Sequence, residues 1–162
     1  MVKRLKIPII SALCVLSLAV MCVSLYISAD KNAKFTPPEF DLGAIRGVPD
    51  EDVSGWCDAT LEGMTYNVFM CREVCIDAEK AIVYFTNPAE NTVWLKIRLI
   101  DEHGAVIGES GIIKPGEYVE YVSVAETPQN GSKITVKVMG YEPHTYHSAG
   151  AVSFNTNVYT DK

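Results

Sequence analysis

The side chains best equipped for chemistry in this chain are two histidines, three cysteines and a Trp-Lys-Arg row. His144 and His147 form a His-x-x-His pair inside Tyr141-Glu142-Pro143-His144-Thr145-Tyr146-His147. Imidazole nitrogens at that spacing can share a zinc ion when further donors converge on them, and Cys71, Cys75 and Glu142 are the donor types available. The segment reads as a loop between two strands, where histidines are commonly solvated. The leading reading therefore assigns no metal and no cofactor, and His144 with His147 and the cysteines defines the alternative, a cell-envelope metal carrier or enzyme. His103, in the turn from Asp101 to Gly104, reads as exposed.

Cys71-Arg72-Glu73-Val74-Cys75 puts three residues between its sulfurs where the redox motif has two, and no βαβ pattern surrounds it. A structural bridge from Cys57 to Cys71 or to Cys75 is the expectation, leaving one free thiol and stabilising by about 2–4 kcal/mol. An interchain bridge or three free thiols stay open. Gly108-Glu109-Ser110-Gly111 lacks the five-residue Gly-x-Ser-x-Gly form and sits in a turn between short strands, so it supplies no nucleophile elbow. Asp50, Glu51 and Asp52 suit the positive end of a helix dipole, and they do not form a calcium loop. Asn130-Gly131-Ser132 fits a glycosylation sequon and equally an ordinary hairpin turn. The chain reads as a non-catalytic protein.

Aromatic residues give the better hint of binding. Trp94 falls on the polar side of its strand with Lys96 and Arg98, a candidate interaction surface that Tyr118 and Tyr121 could extend. The opposing reading packs Trp94 beneath a helix or a loop.

These groups need a scaffold, and its address is set near the start of the chain. Ile7 to Ile27 carries no charged side chain and follows Lys3, Arg4 and Lys6. As a helix it would be roughly 30 Å long, the thickness of the hydrocarbon core of a bilayer. The cations before it and Asp30 after it orient a single pass with residues 1–6 in the cytoplasm, residues 7–27 in the lipid and the remainder outside the cell membrane. Cleavage as a signal peptide fits less well, because Ile27 or Tyr26 would stand where small residues precede a cut. The chain has 14 cations and 20 acids, a net charge of −6; without the three N-terminal cations it is at −9. That balance excludes nucleic acid as a partner and leaves a protein of the cell envelope as the expected one.

Residues 28–49, with Pro37-Pro38, Gly43, Gly47 and Pro49, read as an extended tether. Residues 50–162 read as one domain. Val53, Trp56, Cys57, Thr60, Leu61 and Met64 recur at steps of three and four, the period of a single short helix that Asp50 would cap and Gly63 would end. From Met64 the period becomes two. Strands are expected at 64–71, 81–86, 93–99, 105–109, 117–124, 134–138 and 152–158, separated by turn chemistry such as Asn87-Pro88, Pro115-Gly116 and Asn130-Gly131. About seven short antiparallel strands at this spacing argue an all-β sandwich of two sheets.

The order Phe85-Thr86-Asn87-Pro88-Ala89-Glu90-Asn91, Leu95 with Ile97, Asp101 to Gly104, Val106-Ile107 and Gly111-Ile112-Ile113-Lys114-Pro115-Gly116 resembles immunoglobulin-like sandwich modules of the bacterial cell-adhesion-related type. Over residues 36–159 the chain looks like small single-anchor surface proteins of Gram-positive Firmicutes. The resemblance implies a surface or adhesion module without known chemistry, and it does not lead one to expect three exported cysteines. Placing arginine at the centre of the apolar run, Leu16→Arg, is expected to cost about 2.5–3.5 kcal/mol of insertion free energy. Fractionation of cells should show the variant depleted from the membrane; wild-type levels there would remove the anchor.

Overall fold

The computed structural model describes residues 14–24, 35–50, 53, 55–58 and 65–160. Residues 14–24 are helical, with exposed side chains. No described helix is long and apolar enough to cross a membrane, and the rest of the expected 7–27 span lies outside the described residues.

The second compact unit, Pro37–Lys162, is all-β. Its described strands are β1 (Ile45–Arg46), β2 (Trp56–Asp58), β3 (Phe69–Cys71), β4 (Val74–Asp77), β5 (Lys80–Asn87), β6 (Trp94–Ile100), β7 (Val106–Glu109), β8 (Glu117–Ser123), β9 (Lys133–Tyr141) and β10 (Ser148–Thr160). They form one curled path in the order β1-β8-β5-β4-β10-β9-β6-β7, with β2 joined to β3 and β3 to β5. All pairings are antiparallel except β10 with β4. β10 pairs with β9 from Ser148 to Asn157 and with β4 from Val158 to Thr160, so this strand carries the path from one half of the fold into the other.

Alternation explains the core. On β6 every second residue, Leu95, Ile97 and Leu99, is completely buried, and on β9 Ile134, Val136 and Val138 repeat the pattern. From the other half Val68, Met70, Val74, Ile76, Val83 and Phe85 pack against them. Each such side chain contributes about 1.5–3 kcal/mol by leaving water. The curl nearly closes where Gly108 of β7 bridges Val124, just past β8, and Ala125 N donates to Ile107 O at 2.8 Å. A Cβ on Gly108 would stand 2.6 Å from Ser123 O, which is why only glycine fits this seam.

Two expectations change. The helical period across residues 50–64 gives way at Trp56–Asp58 to a strand, with Trp56 opposite Cys71 and Cys57 opposite Met70; residues 51–52, 54 and 59–64 lie outside the described residues. Tertiary bonding overrides the period there. The Trp56 indole donates to Tyr84 O and Thr86 Oγ1, both at 3.2 Å, and stacks on Phe69 with ring centroids 5.3 Å apart, while Gly55 takes a left-handed φ of 75° that breaks a helix. The tether is likewise built into the fold from Pro37 onward. Phe40 bridges Ile112 in parallel, Asp41 N donates to Ile112 O at 2.9 Å, and Gly111 N donates to Asp41 Oδ2 at 2.7 Å.

A buried amide pair holds the start of β6 in place. Asn87 Nδ2 donates to Val93 O at 2.9 Å and Ile113 O at 3.2 Å, while Asn91 Nδ2 donates to Asn87 Oδ1 at 2.7 Å and to Asn67 O at 2.6 Å. Asn87→Ala removes the side-chain partner of the buried Val93 carbonyl and of one Asn91 amide hydrogen, each at about 1–3 kcal/mol, while Ile113 O keeps its bond from Leu95 N. Chemical denaturation is expected to show a loss of roughly 2–4 kcal/mol; a change below about 0.5 kcal/mol would mean that the pair is not a structural clamp.

Candidate functional site

β6 places its even-numbered side chains, and β9 its odd-numbered ones, on the outside of the β7-β6-β9-β10 half. The ladder sets Trp94 opposite Tyr141, Lys96 opposite Met139 and Arg98 opposite Lys137. Since residues two apart on a strand share a face, Trp94, Lys96 and Arg98 form a row with steps of about 7 Å. Lys96 Nζ donates to Glu109 Oε1 at 2.9 Å, and Arg98 donates through Nε and Nη2 to Glu109 Oε2 at 2.9 and 2.8 Å. Partial burial on its own would raise the Glu109 carboxyl; the hydrogen bonds and charges of Lys96 and Arg98 carry it below its usual range.

Trp94 is half-buried at the centre of an aromatic cluster. Phe40, Tyr146 and His144 approach its ring edge to face, with centroids at 4.9, 5.3 and 5.7 Å. Lys114 Nζ stands 4.6 Å above the Phe40 ring, a cation–π contact. The histidine and tyrosine reach Trp94 because the β9-β10 loop folds back over β6. Glu142 N donates to His147 O at 2.8 Å and Tyr146 N to Glu142 O at 3.0 Å, closing the loop. His144 and Tyr146 both adopt left-handed backbone, φ 68° and 58°, an uncommon conformation for such bulky residues. Trp94 thus lies partly beneath a loop and also belongs to an exposed face.

The other sequence candidates separate. His147 is exposed, with Nδ1 3.8 Å from Glu142 Oε2. Cys75 lies opposite Ile82 and beside Tyr159, far along β10 from the loop holding the histidines. Ser148 to Tyr159 is roughly 36 Å of strand contour. Tyr66 donates to Gly150 O at 3.1 Å and Thr156 Oγ1 to Arg72 O at 2.7 Å, so residues 66–72 climb beside 150–156 and put Cys71 at the cysteine end as well. Histidines and cysteines therefore do not converge, and no group of three or more metal-donor side chains is found among the described residues.

Cys57 and Cys75 are free thiols, both half-buried. In the β2-β3 ladder Cys57 stands opposite Met70 and Cys71 opposite Trp56, so the two cysteines are one register step apart on neighbouring strands instead of directly paired. Cys71 and Cys75 line an open concavity of about 440 Å³ with Glu73 and Tyr84. Burial, with Cys57 nearby, pushes the Cys71 thiol up to about 11. Ser110 is buried; its Oγ accepts from Ile97 N at 3.1 Å and donates to Gly111 O at 2.7 Å, a structural role. His103 is exposed beside Glu102, and Asp50 is exposed. Tyr121 lies on β8 in the other half, where Lys80 Nζ stands 4.2 Å above its ring, so it does not extend the Trp94 face. Sequence reading missed Phe40, Lys114, Lys137 and Tyr146. Only Lys137 carried a signal, its polar place in the alternation of β9.

No family model matches the chain, and no curated protein does. Among solved structures the chain is similar to the crystal structure of CopC from Methylosinus trichosporium OB3b, at 15% identity over 59% of this chain and 96% of that one, with a TM-score of 0.35. Likeness at that level transfers neither fold family nor chemistry.

Half-buried Cys75 is expected to react with a maleimide in the folded protein well before Cys71 does, since Cys71 is buried and its thiolate is disfavoured. A folded-state value raised from 9.0 to about 11 stabilises the fold below pH 9, and that contribution is lost as the pH climbs toward 11. Denaturation midpoints measured across this window should fall, and Cys71→Ala should flatten that part of the fall. Equal labelling of the two thiols would contradict the burial.

Proposed function

We propose that this protein is a non-catalytic binding or assembly module, anchored by residues 7–27 with its N-terminus inside and its β domain displayed outside the cell membrane. The observation that carries the binding reading is the half-exposed aromatic cluster around Trp94 beside Lys96 and Arg98. Aromatic side chains with arginine are the groups that dominate protein recognition surfaces. Two bulky residues held in left-handed backbone, His144 and Tyr146, add to it, because such strain collects where side chains are held for a purpose. The charge-free run behind three cations supports the address. The all-β domain suits the immunoglobulin-like surface modules that the sequence resembles, among small single-anchor proteins of Gram-positive Firmicutes. On this reading the partner is a component of the cell envelope, not nucleic acid.

Protease added to intact cells is expected to digest the domain and leave a membrane-bound N-terminal stub; complete protection would overturn the address. A benzophenone side chain placed at exposed His144 should cross-link to an envelope component, whereas the same group at exposed Tyr159 should not. Equal yields from the two positions would overturn the assignment of the binding face.

A further inference from the structure

The cations of the outer face are more numerous than its acids, against the balance of the whole chain. Lys96, Arg98, Lys114 and Lys137 share the neighbourhood of Trp94 and β6 with Glu109, and Glu142 lies on its rim, while the chain is at −6. Arg98 and Lys137 stand directly opposite each other in the ladder. Like charges at such a position destabilise a sheet. Arg98 is partly neutralised by Glu109, but Lys137 has no ion-pair partner among the described residues, so its charge is left for a ligand to meet.

We infer that the outer face of β6 and β9 binds an acidic polysaccharide, a chain of sugar rings bearing carboxylate or sulfate groups. This rests on the binding-module reading and names its ligand. The cations are spread along and across two strands instead of pointing at one spot. From Trp94 to Arg98 is about 13 Å at the strand rise. A single small anion cannot span that row, and an extended polymer can. Lys137 and Arg98 then receive acidic groups at one end, and the aromatic cluster at the other offers ring faces and edges to the apolar side of a sugar. Nucleic acid fits less well, because its charge density, about one per 1.7 Å of duplex, would face a protein that is negative beyond this patch.

The test uses the full chain in detergent micelles with polygalacturonate and dextran sulfate as probes, uncharged dextran as the neutral comparison and an oligothymidylate as the other polyanion. Both acidic glycans should bind, more weakly as salt rises, and dextran should not. Lys137→Glu places an acid opposite Arg98, so it should raise the melting temperature while weakening glycan binding about tenfold or more. Tyr146→Ala should weaken binding without removing its salt dependence. Undiminished binding in Lys137→Glu, or oligothymidylate binding tighter than either glycan, overturns the inference. Failure of both glycans together with a cross-link from position 144 to an envelope protein overturns the glycan and leaves the binding module standing. Failure of both glycans and of every cross-link overturns the two together.

Discussion

The buried amide pair of Asn87 and Asn91 is the interaction on which the arrangement of the two halves depends. An amide sealed from water with unmet bonds costs about 1–3 kcal/mol, so its partners must all arrive together. Those partners come from four places: Val93 ahead of β6, Ile113 beside Leu95, Asn67 leading into β3, and the pair itself. Satisfying them sets where β6 begins relative to β5, and the register of β6 then decides which side chains face outward. A shift of one residue would bury Lys96 and Arg98 and expose Leu95 and Ile97. The outer face with its charges is therefore a consequence of the polar clamp behind it.

Strand β10 imposes the second constraint. By running from the loop over Trp94 to strand β4, which carries Cys75, it keeps His144 and His147 apart from Cys71 and Cys75. The same strand closes the hairpin that lowers His144 and Tyr146 onto Trp94. One element thus separates the donors of a metal site and assembles an aromatic surface.

Much of the β architecture was legible because alternation states which residues leave water. Seven expected strands correspond to β3 and to β5 through β10, and the burial of Leu95, Ile97, Leu99 and Val136 follows the written pattern. The turn at Pro115-Gly116 was legible too, since Gly116 takes φ of 76° and Glu117 N closes it on Lys114 O at 3.1 Å. β1, β2 and β4 were not. Each is only two to four residues long, too short for a period to register, and each is held by cross-chain partners such as Tyr118 for Ile45. At the site, the row Trp94, Lys96 and Arg98 could be read because it lies on one strand. Phe40, Lys114 and Tyr146 could not, since they come from three separate segments.

By itself the sequence determined the local choices: period-two strands from Met64 on, glycine and proline turns between them, and the surplus of acid, all of which depend only on neighbours along the chain. Tertiary structure decided the rest. It turned the helical period at Trp56 into a strand, because the indole found Tyr84, Thr86 and Phe69 across the sheet. It also parted the histidines from the cysteines, because distance in a folded sheet is set by register and strand order, and neither is written in spacing along the chain.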